Sequence, residues 1–409
     1  MPVRERSSAS TLAQGLRPWP DPGALLVGWL MSRLRCGRLT VVTPSGRHVS
    51  HAGPASGPEA TLILHGWRAL RRVLVGGANG FADGYLAGEW SAPNLPALIE
   101  LLTLNTDHLG RLDTGSTLAK LLRRSTHRAN RNTHIGSRRN ISFHYDLGNA
   151  FYAHWLDGGM QYSSAIHDDG DSLEAAQSHK LDRIVELMAV SGEERVLEIG
   201  CGWGAVSERL AGAHGCAVTA ITLSAEQLGY AQERLAAGGI AADLRLEDYR
   251  DVTGSFDRIV SIEMIEAVGE EYWPAYFETV RNRLVPGGRA VIQSILIAEE
   301  RFEAYRGNPD FIQTHIFPGG MLPTRTRMRA QAENAGLVLR HEELHGQSYA
   351  WTLDQWRGRF HAAWTAIEAM GFDARFRLMW DYYLSYCEGG FRAGAIDVGL
   401  YVLERPATS

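Results

Sequence analysis

The sequence predicts an α/β protein in which a mostly parallel sheet, covered by helices on both faces, follows a small α+β domain. Three observations predict it. From about residue 140 onward, apolar runs of strand length alternate with helical patterns, the order that builds parallel β-α-β units. A buried-type strand runs directly into a glycine-rich turn, Val196-Leu-Glu-Ile-Gly-Cys-Gly-Trp-Gly204. The 409 residues are 45% apolar and 21% charged, the composition of a folded chain long enough for two or three domains.

The first zone, residues 1–112, reads as the small α+β domain. Its apolar run at 23–31 is too short to span a bilayer and lacks the flanks of a signal peptide. Runs at 39–42 and 61–64 read as strands separated by a loop rich in Gly, Pro and Ser, and 96–104 as an amphipathic helix. Four scattered cysteines, Cys36, Cys201, Cys216 and Cys387, make no CxxC pair. That suggests neither a disulfide framework nor a thiolate zinc site, and fits a cytoplasmic protein.

The second zone, residues 113–139, is a basic linker. Lys120, Arg123, Arg124, Arg128, Arg131, Arg138 and Arg139 face no acid between 120 and 139. Against a formal net charge of −5 for the chain, this run is either a solvated linker or a peripheral contact with anionic lipid headgroups. It lacks the interleaved aromatics of a nucleic-acid contact, and no nucleic-acid partner is expected.

The third zone, residues 140–409, carries the sheet. Asp171 with Glu174 reads as the N-terminal cap of a helix reaching residue 189. Strands are expected at 195–199, 217–221, 243–246, 257–262 and 289–293, with helices at 224–237 and 271–284 and a turn at Leu284-Val-Pro-Gly-Gly288. Such sheets bind ligands beyond the carboxyl ends of their strands. The glycines at 200, 202 and 204 are spaced GxGxG instead of the dinucleotide GxGxxG, and Glu198 stands two positions before them. A carboxylate there suits a cationic ligand such as S-adenosylmethionine better than a pyrophosphate.

From about residue 140 to 404 the chain resembles the cyclopropane fatty acid synthase family of methyltransferases, which includes the mycolic acid cyclopropane synthases. The resemblance is carried, in order, by Ile141-Ser-Phe-His-Tyr-Asp-Leu-Gly-Asn149, Gln161-Tyr-Ser163, Glu198-Ile-Gly-Cys-Gly-Trp-Gly204, Thr222-Leu-Ser-Ala-Glu-Gln227, Asp248-Tyr-Arg250, Ile316-Phe-Pro-Gly-Gly-Met-Leu-Pro323 and Tyr382-Tyr-Leu-Ser-Tyr-Cys387. It implies a Rossmann-like class I methyltransferase domain. S-adenosylmethionine would contact Tyr162, Ser163, Glu198, Gly200, Gly202, Gly204, Thr222, Gln227 and Tyr249.

The same resemblance implies transfer of a one-carbon unit to the double bond of an unsaturated phospholipid acyl chain. Methyl transfer to an alkene leaves a carbocation, so the site must exclude water, stabilise the cation and supply a base for one proton. Family members use a bound bicarbonate as that base. Its ligands match at Glu266, at Tyr349 and, through backbone groups, near Ser164 and Ile295. Three positions depart from the cyclopropane synthase pattern: Ser164 replaces cysteine, Gln293 replaces histidine and Ala267 replaces histidine. Glutamine hydrogen-bonds an anion but brings no positive charge to it. The pattern is closer to the branch making methylene- or methyl-branched fatty acids.

His341-Glu-Glu-Leu-His345 fits the literal HExxH zinc signature, but it follows a strand-like alternation, and extended residues four apart stand roughly 13 Å from each other. No metal is expected. Cys387 reads as a core thiol, and Tyr382, Tyr383, Tyr386 and Phe391 as acyl-channel or core aromatics. Two other readings stay open: a small-molecule N- or C-methyltransferase, and a decayed lipid-binding protein. The oligomeric state is likewise open, a homodimer among the candidates.

Overall fold

The computed structural model describes residues 22–109 and 147–407. The basic run at 120–139, residues 141–146 of the first motif and the expected domain boundaries at 112 and 139 lie outside the described residues.

The N-terminal lobe is built on a four-stranded sheet of β1 (Cys36–Val42), β2 (His48–Ala52), β3 (Ala55–Leu64) and β4 (Trp90–Ser91), in the order β2-β1-β3-β4. β1 pairs antiparallel with β2 and parallel with β3. The expected loop between 42 and 61 therefore holds a strand and the first half of another. Every residue of β2 is exposed or half-buried, so no apolar run marks it. The helix expected at 96–104 is Leu95–Leu104, capped by the Asn94 side chain, which accepts from the Ala97 amide at 3.1 Å. Two more helices, Pro22–Met31 and Arg68–Leu86, flank the sheet, the second broken at Gly77.

The large lobe is a seven-stranded sheet of β5 (Arg195–Ile199), β6 (Ala217–Thr222), β7 (Asp243–Leu246), β8 (Phe256–Ile262), β9 (Leu284–Ile297), β10 (Val338–Leu344) and β11 (Ile396–Glu404). Their order is β10-β11-β9-β8-β5-β6-β7, with β11 antiparallel to both neighbours and the other pairs parallel. The chain runs outward from β5 through β6 to β7, then returns to β8 on the other side of β5. That reversal opens a crevice at the carboxyl ends of β5 and β8.

Three local expectations are corrected. The helix Leu173–Met188 is capped by Ser172, whose side chain accepts from the Ala175 amide, while Asp171 accepts from the Asp168 amide. The helix expected at 271–284 starts as a 3₁₀ turn, Glu270–Tyr272, and continues as Trp273–Arg283, with Pro274 in the first turn where its missing N–H costs nothing. The Pro-Gly-Gly turn at 286–288 is part of β9.

The lobes are joined by helix Ala374–Arg392, which packs against Leu95–Leu104, and by the Tyr85 hydroxyl donating to Asp381 at 2.6 Å. Among the described residues no helix is long and apolar enough to cross a membrane.

Candidate functional site

The turn after β5 holds Gly200, Gly202 and Gly204 at φ 84, 51 and 87°, a region that side chains disfavour. A Cβ on Gly202 would meet nothing within 4 Å, because the position opens on a cavity that Gly200 also lines. Gly204 is different. Its Cβ would press on Ala231 at 3.1 Å and Leu235 at 3.2 Å, and it does not line the cavity. It lets helix Ala225–Ala237 approach, which corrects its placement among the cofactor contacts.

At the end of β6, Thr222 accepts from the Ser224 amide at 3.2 Å and donates to Gln227 Oε1 at 3.0 Å. Tyr249, after β7, packs edge-on to Tyr276 with ring centroids 5.6 Å apart. Thr222, Gln227 and Tyr249 all line the cavity, as do Tyr162, Ser163 and Glu198. Glu198 accepts from the Ser207 hydroxyl, and burial pushes its carboxyl up to about 7. The Tyr162 hydroxyl meets the Tyr383 hydroxyl at 2.6 Å. An open glycine cradle, polar side chains at the ends of β5 and β6 and a cavity of about 830 Å³ fit S-adenosylmethionine.

The expected base site is arranged differently from its sequence reading. Glu263, directly after β8, has φ 50°, a conformation that costs a residue with a side chain about 1–3 kcal/mol. Its carboxylate sits where three donors converge. The Ser164 amide reaches Oε1 at 2.8 Å, Gln293 Nε2 reaches Oε1 at 2.7 Å, and the Tyr349 hydroxyl reaches Oε2 at 2.7 Å. These are the groups expected to surround a bicarbonate. The chain's own carboxylate occupies that place, so the residues do not fit a bicarbonate there.

Glu266 stands aside, accepting from the Ile295 amide at 2.5 Å. Burial and then the neighbouring Glu263 push its carboxyl up to about 8. Burial also raises Glu263, and Tyr349, the Ser164 amide, Gln293 and Lys180 all oppose that rise. Both glutamates line the cavity, whereas Ser164 and Gln293 lie behind Glu263 and do not. The Ser164 hydroxyl turns away to the Ala165 carbonyl at 2.9 Å.

Two site residues escape the sequence reading. One is Glu263, whose signal was a second glutamate three positions before Glu266 among neighbours stripped of positive charge. The other is Lys180, a buried lysine lining the cavity whose Nζ donates to Ser163 Oγ at 2.7 Å. Burial pushes its ammonium down to about 8.

Beyond the two glutamates the cavity continues along Phe317, Ile312, Tyr382, Tyr383 and Tyr386 into the N-terminal lobe, ending among Val27, Leu39, Val41, Leu64 and Val73. Cys387 lines it as a neutral thiol, its pKa raised by burial. His341 and His345 do not line it. β10 is extended there, and both imidazoles bond Glu343, at 2.8 and 3.1 Å, which Arg183 also holds at 2.7 Å.

Residues 132–400 match the family model described as mycolic acid cyclopropane synthetase. Tuberculostearic acid methyltransferase UfaA1 of Mycobacterium tuberculosis is 38% identical over 366 residues, spanning 86% of this chain and 85% of that protein. The cyclopropane-fatty-acyl-phospholipid synthase of Escherichia coli K12 is 39% identical over 262 residues, 64% of this chain and 66% of that protein. Among solved structures, mycolic acid cyclopropane synthase CmaA1 complexed with SAH and CTAB superposes with a TM-score of 0.62 at 28% identity, covering 65% of this chain and 98% of that one. Coclaurine N-methyltransferase, at 16% identity and a TM-score of 0.61, shares the fold.

Proposed function

Because the chain belongs to the mycolic acid cyclopropane synthetase family and is an S-adenosylmethionine-dependent methyltransferase, we propose that it adds one carbon to the double bond of an unsaturated phospholipid acyl chain, with Glu263 as the base. The observation that carries this reading is the carboxylate of Glu263, fixed by three donors on the wall of an apolar cavity.

Bound S-adenosylmethionine supplies an electrophilic methyl group. Gly200, Gly202, Thr222, Gln227 and Tyr249 hold it, by their place on the cavity wall at the ends of β5, β6 and β7. The acyl chain lies in the apolar remainder of the cavity, which keeps water from the carbocation that methyl transfer leaves on it. Tyr162 and Tyr383, which line the cavity, would offer that cation electron-rich π systems. Glu263 takes the proton at a carboxylate oxygen; the Ser164 amide and Gln293 hold Oε1 and the Tyr349 hydroxyl holds Oε2, which fixes the carboxylate in place. Loss of a proton from the new methyl group closes a cyclopropane ring, and loss after a hydride shift leaves a methylene branch. Both add one CH2.

Purified protein given S-adenosylmethionine and an unsaturated phospholipid should release S-adenosylhomocysteine. Mass spectrometry should show one CH2 gained per modified acyl chain, with fragmentation separating ring from branch. No turnover on any unsaturated lipid, or methylation of a small amine instead, would overturn the reading.

A further inference from the structure

The N-terminal lobe has a charge opposite to that of the chain as a whole. Residues 22–82 contain seven arginines and a single acid, Glu59, in a protein of formal net charge −5. Its first helix, Pro22–Met31, has no charged residue at all. Val27, Leu30 and Met31 line the cavity from within. On the outer side Leu25 and Trp29, one turn apart, are 62% and 55% exposed.

Helix Arg68–Leu86 repeats the arrangement before its break at Gly77. Leu70 and Val73 line the cavity, while Leu74 and Val75 are 49% and 54% exposed. Arg71 precedes these two by three and four residues, and Arg68 extends the same face by another turn. The two helices meet at Trp67, whose ring stands where a Cβ on Gly23 would lie. The Arg33 guanidinium sits 3.8 Å over the Trp29 ring. A helix apolar on every side belongs in a core or against lipid. Tryptophan and leucine exposed beside arginine are the marks of a helix lying in a bilayer interface.

Resting on the reading of the substrate as a phospholipid acyl chain, we propose that the outer face of these two helices docks the protein on an anionic phospholipid bilayer, with the acyl chain entering the cavity between them. The basic surface draws the lobe to anionic headgroups, the four exposed apolar side chains insert among the upper acyl carbons, and the cavity begins directly behind them.

The test is sedimentation of the full-length protein with phosphatidylglycerol vesicles, using phosphatidylcholine vesicles as the uncharged comparison. Trp29→Ser with Leu74→Ser removes half of the four exposed apolar side chains, and Arg68→Gln with Arg71→Gln removes the two arginines on the face of the second helix. Each double variant should weaken binding to phosphatidylglycerol vesicles by about 10-fold or more, and the binding of the arginine variant should depend less steeply on salt than that of the wild type. None of these four residues lines the cavity, so turnover of the same lipid dispersed in detergent should stay within about 2-fold. Vesicle binding equal to wild type in both variants would overturn the docking face, even with lipid turnover intact. So would a change from dimer to monomer with vesicle binding unchanged, which would make the face a contact between copies. Vesicle binding lost in the variants while no form of lipid is ever methylated would instead overturn the function proposed above.

Discussion

Two glutamates three residues apart differ in how far burial is opposed, because their partners differ. Burial raises both carboxyls; three hydrogen bonds and Lys180 oppose the rise at Glu263, whereas Glu266 has the Ile295 amide and lies beside Glu263, which adds to its rise. At neutral pH Glu266 is protonated. Its carboxyl is raised from 4.5 to about 8 in the folded chain, so between those values the folded state holds a proton that the unfolded chain has released. Stability therefore falls as pH rises through that window, by on the order of 1 kcal/mol per unit. Glu266→Gln should flatten this fall. Melting temperatures of the two proteins, compared from pH 5 to pH 9, should converge on the acid side and separate in favour of the variant on the alkaline side. Parallel curves would show that Glu266 does not hold that proton.

At this scale the sequence was legible where a residue type has one use. The glycines at 200 and 202 marked the cradle by their spacing, but Gly204 has the same spacing and serves helix packing. The second glutamate before Glu266 was visible, but the place of Glu263 in the site depends on a backbone turn to φ 50° at the end of β8, which no local pattern specifies. Lys180 was legible in principle. It falls on the buried stripe Leu173, Ala176, Gln177, Lys180, Leu181, Ile184, and a lysine there needs a buried partner.

Among the elements, β5 and β7 fall at their expected bounds because each is a compact apolar or alternating run bounded by turns. β2 and the start of β3 went unseen because the small lobe buries little of them. The contact between lobes is set by an element the sequence leaves unmarked, Gly389 in helix Ala374–Arg392. A Cβ there would stand 2.7 Å from Ile99 and 2.9 Å from the Glu100 amide, so the two helices touch backbone to side chain. Gly389→Val should push Leu95–Leu104 away and destabilise the protein by about 1–3 kcal/mol, as overpacking does elsewhere. Denaturant unfolding reads this directly. Stability equal to wild type would mean that the lobes have room between them.

Across the whole molecule, the two lobes share one cavity. The glycine cradle lies at its end in the large lobe and apolar residues of the small lobe at the other, with Glu263 and Glu266 between them. The sheet order and the motifs were enough to locate the cradle, because the crevice follows from chain topology. The small lobe's share of the cavity was hidden, since residues such as Val27 and Val73 carry no motif. In the proposed mechanism the base is a side chain of the protein, Glu263, standing where a bound anion was expected. Chemical rescue of Glu263→Ala measures this. Wild-type turnover should be unchanged when bicarbonate is removed from the buffer. Glu263→Ala should bind S-adenosylmethionine but turn over at least about 100-fold more slowly, and added bicarbonate, held by the freed Ser164 amide, Gln293 and Tyr349, should restore part of the rate. A wild-type enzyme that stops without bicarbonate, or a Glu263→Ala enzyme at full rate in its absence, would contradict the assignment of Glu263 as the base.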